Sequence, residues 1–396
     1  MVQYIEFWLA LLLLIVGYWL LPSRRRGWLL GFGSFAAIAY FDRPTALTML
    51  LITVLVFAVL HHPSTREHRG TMVKICIFAM LFYLGYFKYF PVIGNALRGG
   101  DEPVSLILPL GISYFTFKLI HYALEVRRGT LPEHNFEDFL SFLFLFPIFT
   151  AGPIERFDHY IENRSVTFRF EFVVEGLTRI SHGLIKKFFF GAIVVRLMLA
   201  LTEGGGLPFL LDNLETISPW IVIAFLVLIY FNIYMDFSGY SDIAIGASRL
   251  FGLRIMENFN YPMLARNTGD LWRRWHMSLA SWCQTYVYFP MLGITRNPYI
   301  AVYCSFFIIG LWHGASLNWI AWGLYNAVGV SFFQAWLVYE RKHKLTFMKK
   351  APFRYIGQPL TFIYFTGSCA FAGTDQFGVY AAVRLLARCL YIDLPA

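Results

Sequence analysis

Charge is the first thing this sequence lacks. Only 14% of its 396 residues are charged, against roughly 25% in soluble globular domains, which excludes a water-soluble enzyme built on one core. Paired cysteines are also missing: Cys76, Cys283, Cys304, Cys369 and Cys389 fall mainly in apolar segments without paired spacing. That pattern points to neither a disulfide framework nor a zinc site, and reads as small core residues. No P-loop, GxGxxG, HExxH or serine-elbow pattern occurs, so the templates of soluble enzymes do not apply. No Gly/Ser linker, low-complexity tract or internal repeat breaks the chain, and residues 1 to 396 read as a single domain.

What is present is hydrophobic sequence, 58% of the chain. Crossing the hydrocarbon core of a bilayer takes about 20 apolar residues, and the charge-free runs 44 to 65, 216 to 235 and 355 to 374 each suffice. The run from Asn297 to Tyr339 is twice as long and is expected to cross, turn near "HGASLN" at 313 to 318, and cross back. The fold class is therefore all-α: a polytopic membrane protein of about eleven spans, with re-entrant or interfacial helices. One such segment is "FEDFLSFLFLFPIFTAGPIERF", 136 to 157, apolar to Thr150 and then interrupted by Gly152, Pro153, Glu155 and Arg156. Irregular backbone at membrane depth survives only inside protein or along an aqueous cavity, so a re-entrant or tilted helix ending in a funnel is expected. In "LPLGISYFTFK", 108 to 118, Pro109 and Gly111 signal a kinked or broken helix.

Basic loops mark the cytoplasmic side. "RRR" at 24 to 26 and "REHRGTMVK" at 66 to 74 are positive, "FDRPT" near 42 is neutral and "RGGDE" at 98 to 102 is negative. The N-terminus is thus expected outside, with "ERKHKLTFMKKAPFR" at 340 to 354 and the tail after Arg384 in the cytoplasm. The segment from about Phe7 to Leu21 reads as a retained anchor rather than a signal peptide. The formal charge of +9 sits at helix ends, where orientation accounts for it, and does not indicate nucleic-acid binding.

Three polar islands stand out. His313 in "GLWHGASLNW" lies near the middle of an uncharged run, where an ionisable residue is a functional hypothesis by default; the plainer reading is a histidine in an interfacial turn. His276 sits in "LWRRWHMSLASW". If that stretch is one helix, Trp272, Trp275, Ser278 and Leu279 lie within a turn or two of it and Arg273 and Arg274 take another face. An amphipathic anchor with snorkelling arginines stands equally open. "NIYMDFSGYSDIAIG", 232 to 246, places Asp236 and Tyr240 four residues apart beside Ser238, as either the polar wall of a substrate cavity or a loop beyond a span.

Taken together, "PLGISYFTFK", "FTAGPIERF", "MDFSGYSDIAIG", "LFGLRIMENFNYP", "LWRRWHMSLASW" and "GLWHGASLNWIAWGLY" resemble the membrane-bound O-acyltransferase family in order and approximate spacing, over about residues 105 to 330. Within it the likeness is to the bacterial envelope branches that D-alanylate lipoteichoic acid and O-acetylate alginate. "MLGITRNPY" after "YVYFP" departs from the glycine-pair loop usual in the alginate branch. The resemblance maps the family's principal histidine onto His313 and its second onto His276, 37 positions apart. It implies His313 as general base, with His276 orienting the acceptor or stabilising the oxyanion. Asp236, Ser238, Tyr240, Trp275, Ser278, Trp312 and Asn318 become candidates for the substrate-binding tunnel, and Arg273 and Arg274 for binding the donor.

The resulting expectation is a multi-pass enzyme of the bacterial cytoplasmic membrane. It moves an acyl group, acetyl first and D-alanyl second, to a hydroxyl of an envelope polysaccharide or teichoic-acid-like polymer. No cofactor is bound; the donor is a cytoplasmic thioester, acetyl-CoA or a phosphopantetheinyl carrier protein, and the partners are that carrier, the glycopolymer or an external transferase, and lipid. The rivals are an ion-coupled transporter, since intramembrane His and Asp also relay protons, and a conduit feeding an external transferase.

Overall fold

The computed structural model describes residues 1 to 98, 106 to 345 and 353 to 395. Most of the acidic "RGGDE" loop and the middle of the basic 340 to 354 loop lie outside them. Among the described residues the regular secondary structure is helical, apart from an isolated bridge between Arg164 and Leu253. Its contacts group into two compact units: Met1–Leu184 with Tyr240–Glu257, and Ile185–Gly239 with Asn258–Ala396.

The first unit holds α1 (Ile5–Leu20), α2 (Ser23–Phe41), α3 (Arg43–His61), α4 (Arg69–Arg98), α5 (Ile112–Arg128), α6 (Phe136–Phe144), α7 (Phe157–Glu162) and α8 (Phe170–Leu184). Local chemistry sets several of these boundaries. α3 starts where the Asp42 carboxylate accepts from Thr45 N at 3.1 Å, with proline in the first turn. α6 starts with a reciprocal capping box between Asn135 and Asp138. Pro109 and Gly111 do not kink a helix: α5 begins at Ile112, after Gly111 in the left-handed conformation (φ 73°). A Cβ there would lie 2.6 Å from the Phe149 carbonyl, so the turn needs glycine.

The 136 to 157 segment is helical for nine residues, passes through a short 3-10 turn at Phe146–Ile148, and then runs irregularly to Phe157. It is buried from Phe139 to Phe149. Its freed backbone groups find partners within the unit: Lys118 Nζ donates to the Phe142 and Leu143 carbonyls at 2.9 and 3.4 Å. The fully buried Glu155 carboxylate accepts from Met256 N at 2.7 Å and meets His159 Nδ1 at 2.5 Å. The irregular stretch is thus satisfied by side chains and backbone of the unit itself.

The second unit holds α9 (Gly191–Ala200), α10 (Gly206–Asp212), α11 (Pro219–Leu250, as far as Gly239), α12 (Thr268–Leu271), α13 (Met277–Cys283), α14 (Phe289–Thr295), α15 (Pro298–His313), α16 (Leu317–His343), α17 (Phe353–Gly373) and α18 (Gly378–Cys389). The charge-free run from 297 folds as two helices joined by a turn, α15 and α16. Asn297 caps α15 through Tyr299 N and Ile300 N, with Pro298 at the first helical position. The two helices touch backbone to backbone: a Cβ at Gly310 would sit 2.4 Å from the Trp319 carbonyl, and one at Gly323 equally close to that of Phe306. Small residues at such crossings let helices approach closely where lipid supplies no hydrophobic drive.

Among the described residues, three helical stretches are long and apolar enough to cross a bilayer: Arg43–His61, Arg69–Asn95 and Pro219–Leu250. Ile5–Leu20 and Pro298–His313 are shorter apolar helices. α17 has the length, but Gln358, Thr361, Thr366 and Ser368 dilute its hydropathy.

Candidate active site

His313 ends α15 in the second unit, and Gly314 leaves the helix extended. The half-buried imidazole stacks on Trp319, with ring centres 4.6 Å apart and planes at 18°, and meets Trp322 edge-on at 5.1 Å. Gly314 is what admits that stack, because a Cβ on it would lie 2.2 Å from the Trp319 ring. Asn318, fully buried, donates from Nδ2 to the Phe371 carbonyl at 3.1 Å and to the Thr374 carbonyl and hydroxyl at 2.9 Å. Ser316 bonds Asp375 beside it. These bonds fasten the α15–α16 turn to the end of α17, and Asn318 holds the turn in place.

"LWRRWHMSLASW" is not one helix. α12 stops at Leu271, Trp272 to Trp275 form a turn, and His276 takes the left-handed conformation (φ 43°, ψ 52°) as the N-cap of α13. Such a backbone costs an L-residue with a Cβ about 1 to 3 kcal/mol and persists only where its surroundings fix it. Here they do: Met277 N donates to the Asn258 carbonyl at 2.9 Å, Ser278 Oγ to Asn258 Oδ1 at 2.5 Å, and Asn260 N to the Arg274 carbonyl at 2.9 Å. Trp275 packs among Tyr230, Tyr234, Phe259 and Phe365 at 4.9 to 6.2 Å. His276 itself is 2% exposed, which removes the interfacial-anchor reading.

The two histidines come together around one indole. Trp312 lies 4.8 Å from the His313 ring and 5.8 Å from the His276 ring, and Phe237 closes over His276 edge-on at 4.6 Å. His276 Nε2 is buried and has no hydrogen-bond partner among the described residues. Ser238 Oγ, on α11 one residue after Phe237, is likewise buried and unpartnered among them. Buried polar atoms left in that state cost free energy unless a ligand or water completes them.

A family model described as the membrane-bound O-acyltransferase family matches residues 73 to 372, a span that contains both histidines and every element around them. The chain belongs to that family. It is a polytopic membrane protein. This O-acyltransferase family member is 35% identical over 286 residues to a probable alginate O-acetylase of Pseudomonas aeruginosa, covering 69% of this chain and 50% of that protein. It is 28% identical to a teichoic acid D-alanyltransferase of Streptococcus thermophilus, covering 77% of this chain and 75% of that one, and 30% identical to one of Bacillus subtilis, covering 70% and 72%. The chain spans about half the length of the alginate O-acetylases it matches.

Other candidates in this family member part company. Asp236 faces outward, 64% exposed, and pairs with Lys187. Tyr240 is counted with the first unit, where its hydroxyl shares a 2.7 Å hydrogen bond with Thr150. Arg274 is tied to Asp270 at 3.0 Å and to the Asn260 carbonyl at 3.2 Å, which makes it a brace of the turn; Arg273 is exposed. Sequence reasoning missed Asn258, Phe237, Trp319 and Trp322. The two tryptophans carry a signal, at six and nine positions beyond His313; Asn258 acts across 19 and 20 residues and carries none.

Proposed function

We propose that the chain is an O-acyltransferase of the bacterial cytoplasmic membrane that moves an acyl group from a cytoplasmic thioester to a hydroxyl of an exported glycopolymer. The single observation that carries this reading is the pair His276 and His313, drawn from distant segments to flank one indole. A hydroxyl is a weak nucleophile until a base takes its proton during attack, and imidazole suits that exchange near neutrality. In the proposed step the hydroxyl oxygen bonds to the thioester carbonyl carbon while His313 takes the proton. The C–S bond then breaks, and the leaving thiolate recovers that proton. His276 Nε2, in its protonated tautomer, donates to the oxyanion and so gains the partner it lacks. Ser238 Oγ, buried and unpartnered among the described residues one position after Phe237, offers the same substrate a further hydrogen bond.

Acetate is the acyl group taken first, because the alginate O-acetylases share 33 to 36% identity with this chain and the D-alanyltransferases 27 to 30%. Acetyl-CoA or a phosphopantetheinyl carrier then donates at the cytoplasmic face, where Arg273 attracts its phosphates, and an external transferase or the polymer itself receives the group. The N-terminus faces outward in this reading. The test is thioester consumption by the purified chain in vesicles with no ion gradient, supplied with acetyl-CoA or a D-alanyl carrier. His313→Ala should cost 10²- to 10⁴-fold, the usual worth of general acid–base catalysis. Wild-type turnover by folded His313→Ala, or solute movement without thioester consumption, would overturn the reading.

A further inference from the structure

The large cavity of the second unit lies away from the histidine pair. It is an open, apolar groove of about 1550 Å³, walled by the start of α11 and by α16, α17 and α18. Its volume exceeds the roughly 300 to 1,000 Å³ of sites for drug-sized ligands. The walls are lipid-like: Val328 and Phe332 of α16 and Leu360 and Ile363 of α17 line it and are all exposed, Phe332 by 71%.

One end differs chemically. Arg266 lines it with Trp336 and Glu340, and Arg266 is exposed with no ion pair among the described residues. Beyond that end α16 continues into Arg341, Lys342 and His343, followed by Lys344, all exposed. Fixed cations therefore outnumber the one carboxylate where the apolar channel stops. An amphiphile with a long apolar body and one anionic end matches that arrangement; a transmembrane helix of a second protein would fill the walls and leave Arg266 unanswered.

We infer that this groove binds an anionic glycerophospholipid, its chains along α16 and α17 and its phosphate at Arg266, and that the bound lipid braces the turn carrying His276. The bracing follows from connectivity. Arg266 N donates to one oxygen of Asp270 at 3.1 Å, and the other oxygen accepts from Arg274 at 3.0 Å. Thr268 Oγ1 donates to the Gly329 carbonyl on α16 at 3.0 Å. Gly357 of α17 lies against the Arg266 carbonyl, 2.4 Å from where its Cβ would be. A phosphate on Arg266 thus loads a segment clamped between two groove walls and ten residues ahead of His276.

The activity half of this inference rests on the acyltransferase reading; the binding half does not. In native mass spectrometry of the full chain, phosphatidylglycerol should be retained about fivefold over phosphatidylcholine, the scale of one cation at an anionic lipid surface. Arg266→Gln should erase that preference, and Val328→Trp, which fills the groove, should lower retention of both lipids. In vesicles, acyl transfer by the unmodified chain should fall severalfold when phosphatidylcholine replaces phosphatidylglycerol, and Arg266→Gln should be insensitive to the exchange. Equal retention of the two lipids, an undiminished preference in Arg266→Gln, or displacement of lipid by a co-purified protein helix would overturn the site. Selective binding with lipid-independent transfer would overturn the bracing. Selective binding with no transfer under any condition would leave the site standing and sink the acyltransferase reading instead.

Discussion

At the residue scale, His276 separates chemistry from conformation. Its left-handed backbone favours asparagine among the replacements that keep a Cβ, so His276→Asn should fold with only a small loss of thermal stability while transfer falls at least tenfold. His276→Ala should lose as much activity and also unfold several degrees lower, because alanine tolerates the turn less well. Scanning calorimetry beside initial rates checks this, and full activity in folded His276→Asn would end the oxyanion role. The neighbouring arginines divide in a similar way. Arg273→Gln should raise the apparent KM for the donor, and the effect should fade with salt, as screening of an exposed charge requires. Arg274→Gln should instead lower stability by roughly 0.2 to 1 kcal/mol through its lost pairing with Asp270, with a salt-independent drop in rate. Donor titrations at two ionic strengths, normalised to inserted protein, tell these apart.

At the element scale, α15 and α16 form one hairpin whose crossing leaves no room for a methyl group. Gly310→Ala places a Cβ against the Trp319 carbonyl, so the helices must separate, at about 1 to 3 kcal/mol for overpacking. Separation also breaks the His313–Trp319 stack, and activity should fall together with thermal stability; unchanged unfolding temperature would mean the crossing yields easily. This hairpin was legible in the sequence because its signals are local: an uncharged run, an Asn–Pro start and a polar turn. The turn at His276 was not legible. Its residues favour a helix on their own, and the break is imposed by bonds to Asn258 and Asn260, which local periodicity does not report. The "MDFSGYSD" island divides instead: residues two apart on one helix meet different surroundings, so Asp236 is exposed while Ser238 is buried.

α7 supplies a pH signature. The His159 imidazole pKa is raised above 6.5, chiefly by its hydrogen bond to Glu155, with burial opposing. Because the folded value is the higher one, the pair's stabilisation is fully present below the ordinary imidazole range and is lost as pH rises through the raised value. Unfolding of the first unit, followed by hydrogen exchange from pH 5.5 to 8.5, should show stability declining with pH in that window. His159→Gln should flatten the slope, and a slope unchanged in that variant would remove the pair as its cause.

At the scale of the whole molecule, the family and the helical class were legible in the sequence, because each rests on a motif or on the absence of charge. The division of contacts into two units, with the boundary falling inside the continuous helix α11, was not, since nothing in the composition changes at Gly239. Orientation is the remaining property of the whole. The loop charges predict an outward N-terminus and a cytoplasmic basic loop, so a single cysteine introduced at exposed Lys344 should resist an impermeant thiol reagent added outside intact cells and react after permeabilisation. Labelling from outside would invert the topology.

The stack of Trp319 on His313 also makes the proposed base optically readable. A protonated imidazole against an indole face quenches its emission, whereas a neutral one does so weakly. The pH dependence of the fluorescence difference between the unmodified chain and His313→Gln therefore follows the proton on that ring, in the resting protein and with no substrate present.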